Sequence, residues 1–336
     1  MTTSEQQKLD HTTPYADLTP DLILAAIDQA DFPTSGSLLA LNSYENRVYQ
    51  VGLVDGSFLV AKFYRPGRWT DVTIQEEHDF ALELAEQEIP VVAPLADATG
   101  QTLRHYQDYR FALYPRRGGR SPELDDPEHL RWLGRMLGRM HSVGSIHQFQ
   151  HRPTLNIQTF GQDAVAFVLE QGFVPSELSH NFRQACEVLL EQIATSFEIV
   201  GPYRTLRLHG DCHPGNILWT ESGPHFVDLD DCINGPAIQD LWMLLSGTRD
   251  DMRRQLNILL EGYNTFFDFD PLELSLLESL RALRLLHYSA WLARRWHDPA
   301  FPQAFPWFNT PRYWEDQLNT LREQAERLES PPLTLT

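Results

Sequence analysis

Hydrophobic and polar residues alternate along the first third of the chain, and this pattern predicts a small β-rich unit. The clearest case is residues 46–54 and 57–64, which flank Asp55-Gly56, a pair typical of a tight hairpin turn. Apolar residues then recur at helical spacing from about Asp71 to Glu88. The pattern predicts a mostly antiparallel sheet with one intervening helix. Its remaining elements are a short helix from Thr19 to about Ala30, a Gly/Ser break after it, and strands at residues 102–107 and 109–115.

After Pro127 the pattern changes to long amphipathic helices. They are interrupted by short extended segments at residues 206–219 and 225–231. A β-rich half followed by a helical half implies an α+β fold with two lobes. The predicted parts are a loose polar tail over 1–18, an N-lobe over 19–115, a linker over 116–120, a helical C-lobe over 121–330 and a tail over 331–336.

The composition is that of a globular protein and excludes some classes of partner. The chain has 42% hydrophobic residues, and its 27 basic and 46 acidic residues give a net charge of -19. A duplex-binding protein needs a basic surface, so we expect no nucleic acid partner. The N-terminus has no signal-peptide pattern and no apolar run reaches ~18–20 residues, so we expect no membrane partner. Three cysteines without CxxC spacing favour reduced thiols, and we predict a cytoplasmic monomer.

The stretch His209–Trp219, HGDCHPGNILW, concentrates reactive side chains and allows two interpretations. As a zinc site, it would combine two histidines and a cysteine with the distant Cys232. Structural zinc sites usually supply paired ligands on both sides, whereas Cys232 stands alone and the acidic residues would be unexplained. We therefore expect the histidines to support the loop rather than to bind metal, with Cys212 as a small buried residue.

The second interpretation is a loop for phosphoryl transfer. Asp211 and Asn216 have the D-x-x-x-x-N spacing of a kinase catalytic loop, and an apolar strand ends in Asp228. An asparagine and an aspartate on the two arms of one hairpin can reach the same Mg²⁺, which prefers oxygen ligands. The sequence thus predicts a magnesium site between these arms.

Lys62 adds a further part of such a site. It lies among the apolar positions of its strand and therefore needs an acidic partner, which the next helix supplies as Glu76 or Glu77. Each part alone is a weak signal, and Lys62 could be an edge residue or Asp228 a turn residue. The complete order of Lys, Glu, Asp-x4-Asn and Asp favours a kinase site.

The loop His209–Asn216 resembles the H-G-D-x-H-x-x-N loop of the aminoglycoside and choline phosphotransferase superfamily, whose members are related to protein kinases. Gly235-Pro236 and Asp240-Leu241 match the downstream element of that superfamily with one spacing irregularity. A narrower resemblance, from about Leu41 to the C-terminus, is to a bacterial serine/threonine protein kinase with the aminoglycoside phosphotransferase fold. The resemblance implies a bilobal protein-kinase-like α+β fold.

The same resemblance implies a role for each matching residue. Asp211 would accept the proton of the attacking hydroxyl, and Asp228 would be a second catalytic residue. Asn216 and Asp228 would hold Mg²⁺. No G-x-G-x-x-G loop is present, and residues 42–46 take its place. The groups that bind the nucleotide would be Ser43, Lys62 and Glu77.

The implied activity is ATP- and Mg²⁺-dependent phosphorylation of protein serine or threonine, with autophosphorylation, in bacterial stress response. The net charge of -19 disfavours acidic protein substrates through long-range repulsion and so favours neutral or basic ones. An alternative is a small-molecule kinase for choline or an aminoglycoside. Its cation would bind an aromatic box, although aromatic residues at helical spacing are more often core. That box would comprise Tyr288, Trp291, Trp296 and Trp307. A second alternative is a nucleotide-binding protein without activity, which the intact set of acidic residues disfavours.

Overall fold

The N-lobe is built on a five-stranded antiparallel sheet. A computed structural model describes residues 14–335, and its first sheet has the order β1-β2-β3-β5-β4. The strands are β1 (Thr34–Ala40), β2 (Arg47–Leu53), β3 (Phe58–Phe63), β4 (Arg104–Tyr106) and β5 (Tyr109–Pro115). The two helices of this region are α1 (Pro20–Gln29) and α2 (Asp71–Glu86). The sequence pattern predicted all of these elements except β1.

Strand β1 occupies the segment that the sequence pattern assigned to a Gly/Ser break. Its register with β2 shifts between Thr34 and Leu38, and Gly36 has a φ of 84°. Such a bulge interrupts the alternation of buried and exposed residues. Because β1 is also an edge strand with mostly exposed residues, its sequence carries little of the signal that identifies a half-buried strand.

The C-lobe is mainly helical, as predicted. Its helices are α3 (Pro127–Gly144), α4 (Asp163–Glu170), α5 (Ser176–Val200), α6 (Ile238–Trp242), α7 (Arg249–Tyr263), α8 (Leu277–Arg295), α9 (Ala300–Ala304) and α10 (Pro311–Leu328). Two small antiparallel sheets support the loops between α5 and α6. They are formed by β6 (Leu206–Leu208) with β9 (Ile233–Gly235), and by β7 (Ile217–Thr220) with β8 (Gly223–Phe226). Within residues 14–335, no helix is both long and apolar enough to cross a membrane.

Helices α3 and α7 approach each other closely at three glycines. A Cβ atom on Gly134 would lie 1.9 Å from the carbonyl oxygen of Leu259. A Cβ on Gly138 would lie 2.5 Å from the Tyr263 oxygen, and one on Gly262 would lie 2.2 Å from the Arg131 oxygen. The two backbones are therefore in direct contact, and only glycine fits at these positions. This contact fixes the centre of the C-lobe core.

The segments at both ends of the described chain pack on the body. The sequence predicted a loose tail over residues 1–18, and residues 1–13 lie outside the described part. Residues 14–18 do not fit the prediction, because Leu18 is buried and Tyr15 donates hydrogen bonds to the Glu45 and Phe63 carbonyl oxygens at 3.2 and 3.3 Å. Near the other end, Leu333 is buried, so this tail lies against the C-lobe.

Candidate active site

Lys62 lies in the middle of the N-lobe sheet and is surrounded by carboxylates. Strand β3 pairs it with Val48 on one side and Ala112 on the other, which holds its side chain rigidly above the cleft. Its ammonium nitrogen is 3.1 Å from both Glu77 Oε1 and Asp228 Oδ1. Burial alone would lower the pKa of Lys62, but the surrounding carboxylates raise it well above the usual value. Lys62 is therefore a fixed positive charge.

The two adjacent glutamates of α2 have different partners. Glu77 is buried and pairs with Lys62. Glu76 instead accepts hydrogen bonds from the backbone N–H groups of Gln150, His151 and Arg152, at 2.7–2.8 Å. The structure thus brings Glu77, and not Glu76, to Lys62, while Glu76 fixes a loop of the C-lobe.

Sequence reasoning missed the two arginines of this charged cluster, Arg68 and Arg152. Asp230 is buried, lies 3.2 Å from the Lys62 nitrogen and forms an ion pair with Arg68. Burial would raise the pKa of Asp230, but Arg68 and Lys62 lower it, so the carboxylate is ionised. Arg152 is also buried and donates to the Asp230 and Cys232 carbonyl oxygens. The sequence could not predict the roles of these arginines, because the residues that they contact are distant in the chain.

The loop that carries Asp211 is held from below by Asp240. The Asp240 carboxylate accepts hydrogen bonds from the backbone N–H groups of His209 (2.9 Å) and Gly210 (2.8 Å). It also contacts His141 Nε2 at 3.1 Å. His209 itself is buried, with Nε2 2.9 Å from the Val227 carbonyl oxygen. These bonds fix the loop backbone, which agrees with a supporting role for His209 and Asp240.

Asp211 faces a cavity and has a cationic neighbour. Arg284 of α8 forms an ion pair with Asp211 Oδ1 at 2.7 Å, and His213 Nε2 lies 3.5 Å from Oδ2. Burial would raise the pKa of Asp211, but Arg284 and His213 outweigh it and lower the pKa. The carboxylate is therefore ionised and able to accept a proton or a hydrogen bond at neutral pH.

Asn216 and Asp228 lie side by side on the two arms of the β7–β8 hairpin, as predicted. The Val227 N–H donates to the Asn216 carbonyl oxygen at 3.0 Å, which fixes the spacing of the arms. The Asn216 amide nitrogen donates to the Asp211 carbonyl oxygen at 3.0 Å, so its amide oxygen points the other way. Asp228 has a left-handed backbone with φ 60° and ψ 63°, which is uncommon for a residue other than glycine. Its carboxylate is 55% exposed towards the cleft.

The segment 42–46 forms an irregular turn between β1 and β2. Ser43 Oγ donates to the Asn46 carbonyl oxygen at 3.1 Å, and Asn46 Oδ1 accepts from the Arg65 backbone N–H at 3.1 Å. Glu45 crosses the cleft, where it accepts from Trp291 Nε1 (2.7 Å) and pairs with Arg295 of α8. The turn is therefore stabilised by its side chains rather than by glycines.

The predicted linker passes from β5 to the β7–β8 hairpin. Arg120 and Trp219 exchange two backbone hydrogen bonds, at 3.0 and 2.6 Å. The stacked rings of Trp219 and His129, with centroids 3.7 Å apart, pack the hairpin against α3. The end of the linker is thus anchored to the same hairpin that carries Asn216.

A small β-rich lobe with a buried Lys–Glu pair, facing an Asp-x4-Asn loop and a further aspartate, defines a phosphotransferase with a protein-kinase-like fold. The chain belongs to the phosphotransferase enzyme family (APH), whose model matches residues 37–277. Together with the relatives described next, this membership identifies the protein as a kinase.

The narrower resemblance seen in the sequence is confirmed. The chain is 47% identical over 319 residues to stress response kinase A of Escherichia coli (strain K12), covering 95% of this chain and 96% of that protein. It is 45% identical over 327 residues to serine/threonine protein kinase RdoA of Salmonella typhimurium (strain LT2), covering 97% and 98%.

Solved structures with this fold include small-molecule kinases. Amicoumacin kinase, in a complex with AMP-PNP and Ca²⁺, matches with a TM-score of 0.71 at 19% identity and 94% coverage of both chains. Spectinomycin phosphotransferase matches with a TM-score of 0.65 at 13% identity, covering 92% of this chain and 98% of that one. At these identities the likeness establishes the fold alone.

Proposed function

We propose that the protein is an ATP- and Mg²⁺-dependent serine/threonine protein kinase that also phosphorylates itself and acts in bacterial stress response. The observation that carries the proposal is the position of Lys62. Its ammonium group reaches Glu77 on one side and Asp228 on the other, next to the loop that carries Asp211 and Asn216. The protein acceptor and the role in stress response are proposed from the names of relatives that are 45–47% identical to this chain.

In this proposal each side chain acts through position and charge. Lys62, oriented by Glu77, binds the α- and β-phosphates of ATP. Asp211 orients the attacking hydroxyl and accepts its proton as the hydroxyl oxygen bonds to the γ-phosphorus. The bond from the γ-phosphorus to the β,γ-bridging oxygen breaks, and ADP leaves. The γ-phosphoryl group is loosely bonded in the transition state, so placing the hydroxyl in line with it is the main contribution of the protein. The adenine would lie between the lobes, hydrogen-bonded to backbone near Phe111–Tyr114, where β5 leads into the linker.

The donor set between the hairpin arms fits Mg²⁺. The Asn216 amide oxygen and the exposed Asp228 carboxylate are hard oxygen ligands, and Mg²⁺ commonly binds one or two such groups together with phosphates and water. The ion would neutralise charge on the β- and γ-phosphates of ATP. Asp230 is less suited to this task because Lys62 and Arg68 already occupy its carboxylate.

A choline-type acceptor is less compatible with the cavity beside Asp211. Tyr288 and Trp291 stack there, with centroids 5.6 Å apart. The other two residues of the predicted box do not line the cavity: Trp296 packs against Phe308, and Trp307 packs behind Phe305, which contacts Trp291 on the cavity wall. The stacked pair also lies among arginines, which would repel a quaternary ammonium group. A small-molecule acceptor without positive charge is the remaining alternative.

The direct test is transfer of labelled phosphate from ATP by the purified protein. Reactions contain Mg²⁺ and either no acceptor, a panel of test proteins, choline or an aminoglycoside. We expect label on serine or threonine of test proteins and of the enzyme itself, and incorporation slowed by about 10²–10⁴-fold after Asp211→Asn. Label on choline or an aminoglycoside, with none on any protein, would contradict the protein-kinase proposal and leave the phosphotransferase site in place.

A further inference from the structure

The cavity beside Asp211 is lined by an unusual number of arginines for such an acidic protein. It has a volume of about 900 Å³ and is enclosed by the loop after β3, the catalytic loop and one side of α8. Its walls carry five guanidinium groups, from Arg65, Arg68, Arg284, Arg294 and Arg295. Its four carboxylates are those of Glu45, Asp163, Asp211 and Asp231. The lining thus carries one more positive than negative group on a chain whose net charge is -19, while buried Asp298 and Asp230 pair with Arg65 and Arg68 from behind it.

Most of these charges already have partners within the protein. Glu45 pairs with Arg295 and lies near Arg65 (3.7 Å) and Arg68 (3.8 Å). Arg65 also pairs with Asp298 at 2.9 Å, and Arg68 with Asp230 and Asp231. Arg284 pairs with Asp211. Arg294 forms no ion pair with any residue of the described chain, and its guanidinium lies 5.1 Å from the Phe167 ring. Arg294 thus offers an exposed positive charge to a ligand.

The pKa of His287 reflects the positive charges around it in the cavity wall. Its ring lies on the cavity wall, with its centroid 4.6 Å from that of Phe160. Burial lowers the pKa of His287, and Arg294, Arg295 and Arg284 lower it further, to about 4. The ring is neutral at pH 7, which agrees with a site that excludes additional positive charge.

The separation of two arginines on α8 indicates how long an acceptor segment must be to reach both of them. Arg284 stands at Asp211, and Arg294 is ten residues further along the same helix. At a rise of 1.5 Å per residue, the two are separated by about 15 Å along the axis. An extended peptide covers this distance in about four or five residues, at roughly 3.3 Å each.

We propose that the cavity selects acceptor segments in which the serine or threonine is four or five residues away from an aspartate or glutamate, with Arg294 binding that carboxylate. The inference rests on the proposed protein-kinase function, since it specifies the protein segment that the kinase accepts. It reverses the preference for basic substrates that the net charge suggested. Charges on the remote surface are screened over about 8 Å at physiological ionic strength, whereas Arg294 contacts the ligand directly.

The test compares serine peptides that differ in one charge. Aspartate, alanine or lysine is placed four or five residues before or after a single serine, and kcat/KM is measured for each. We expect the wild-type enzyme to favour the better placed aspartate over alanine by about threefold to fivefold, the effect of one exposed ion pair. Arg294→Gln should remove this difference between the aspartate and alanine peptides, and Arg294→Glu should favour lysine.

Arg312→Gln is the matched control, because Arg312 is also exposed on a helix but lies outside the cavity. It should keep the aspartate preference. The inference is wrong if the wild-type enzyme uses the lysine peptide as well as or better than the aspartate peptide. It is also wrong if Arg294→Gln slows all peptides equally. In both cases the kinase proposal stands, because the enzyme still phosphorylates peptides. Glycerol 3-phosphate serves as a small anionic acceptor. Its phosphorylation, with no label on any peptide or protein, would overturn both proposals.

Discussion

Asp211 and Asp228 lie close to each other, yet their surroundings suit different tasks. Asp211 faces the cavity with Arg284 beside it, whereas Asp228 faces Lys62 and lies on the same hairpin as Asn216. We expect Asp228→Asn to weaken binding of Mg²⁺-ATP, because it removes a charged ligand. Asp211→Asn should leave nucleotide affinity nearly unchanged and lower turnover by about 10²–10⁴-fold, the usual size of a general-base contribution.

The measurement is calorimetric titration of both variants with a non-hydrolysable ATP analogue and Mg²⁺, next to steady-state turnover. Asn216 Nδ2 also lies 3.4 Å from Asp211 Oδ2, but its shorter bond, 3.0 Å to the Asp211 carbonyl oxygen, does not involve the substituted side chain. The loop should therefore keep its shape in Asp211→Asn. An equal loss of nucleotide affinity in the two variants would contradict the assignment of separate roles.

The neighbouring glutamates of α2 allow a matched pair of substitutions. Glu77→Gln keeps the shape of the side chain and removes the charge that orients Lys62. We expect kcat/KM to fall by about 10–100-fold, the effect of one hydrogen bond to a charged group. Glu76→Gln weakens the three backbone hydrogen bonds of residues 150–152 instead, and should lower the melting temperature with much less loss of activity.

The comparison uses ATP turnover and thermal unfolding without nucleotide for both variants. It separates a role in phosphate binding from a role in holding the lobes together. Should Glu76→Gln lose as much activity as Glu77→Gln, the pairing with Lys62 would not be the feature that matters. The two positions are adjacent on one helix, so helix propensity and overall charge change equally.

At the scale of elements, the contact between α3 and α7 depends on glycine. Gly134→Ala would place a methyl group against the Leu259 carbonyl oxygen, where the Cβ position is only 1.9 Å away. In a free helix, alanine is favoured over glycine by about 1 kcal/mol. Separation of the two backbones should outweigh this gain, and we expect a net loss of about 2 kcal/mol in the free energy of unfolding.

Urea unfolding of Gly134→Ala measures this loss. Gly118→Ala in the linker is the control, since the nearest atom to its added Cβ is the end of the Arg116 side chain at 3.7 Å. The control should unfold like the wild type. Stabilisation by Gly134→Ala would show that α3 and α7 are not in backbone contact in solution.

At the scale of the whole molecule, charged groups join the two lobes across the cleft. Lys62 and Arg68 of the N-lobe reach Asp228 and Asp230 of the C-lobe, and Glu45 reaches Arg295. A nucleotide bound between these groups adds contacts to both lobes. Mg²⁺-ATP analogue at 100 times its dissociation constant should therefore stabilise the protein by about 2.7 kcal/mol.

Thermal unfolding with and without the analogue measures this stabilisation. Removal of Mg²⁺ by a chelator should abolish most of it, and Asp228→Asn should show little of it even with Mg²⁺ present. The Arg312→Gln variant, altered on the outer surface, should respond as the wild type does. Full stabilisation of Asp228→Asn by the analogue and Mg²⁺ would contradict the proposed metal site.

Local patterns determined the order of the elements and the core of the candidate site. The Asp-x4-Asn spacing and the strand that ends in Asp228 could be recognised because these groups lie on one short hairpin, where neighbours in sequence are neighbours in space. Helix starts such as Thr19-Pro20 were predicted for the same reason, and Thr19 does accept a hydrogen bond from the Leu22 N–H. Strand β1 was missed because its bulge and its exposure at the sheet edge erase the alternation.

Tertiary structure alone decided which charges meet. Nothing local distinguishes Glu76 from Glu77, because a rotation of 100° on the helix determines which of them faces Lys62. Arg68 and Asp230 are 162 positions apart, and Arg284 reaches Asp211 from a helix that the sequence associated with an aromatic box. The sequence determines the total charge of -19, but the arginine-lined cavity exists only because the fold gathers arginines from distant segments around one space.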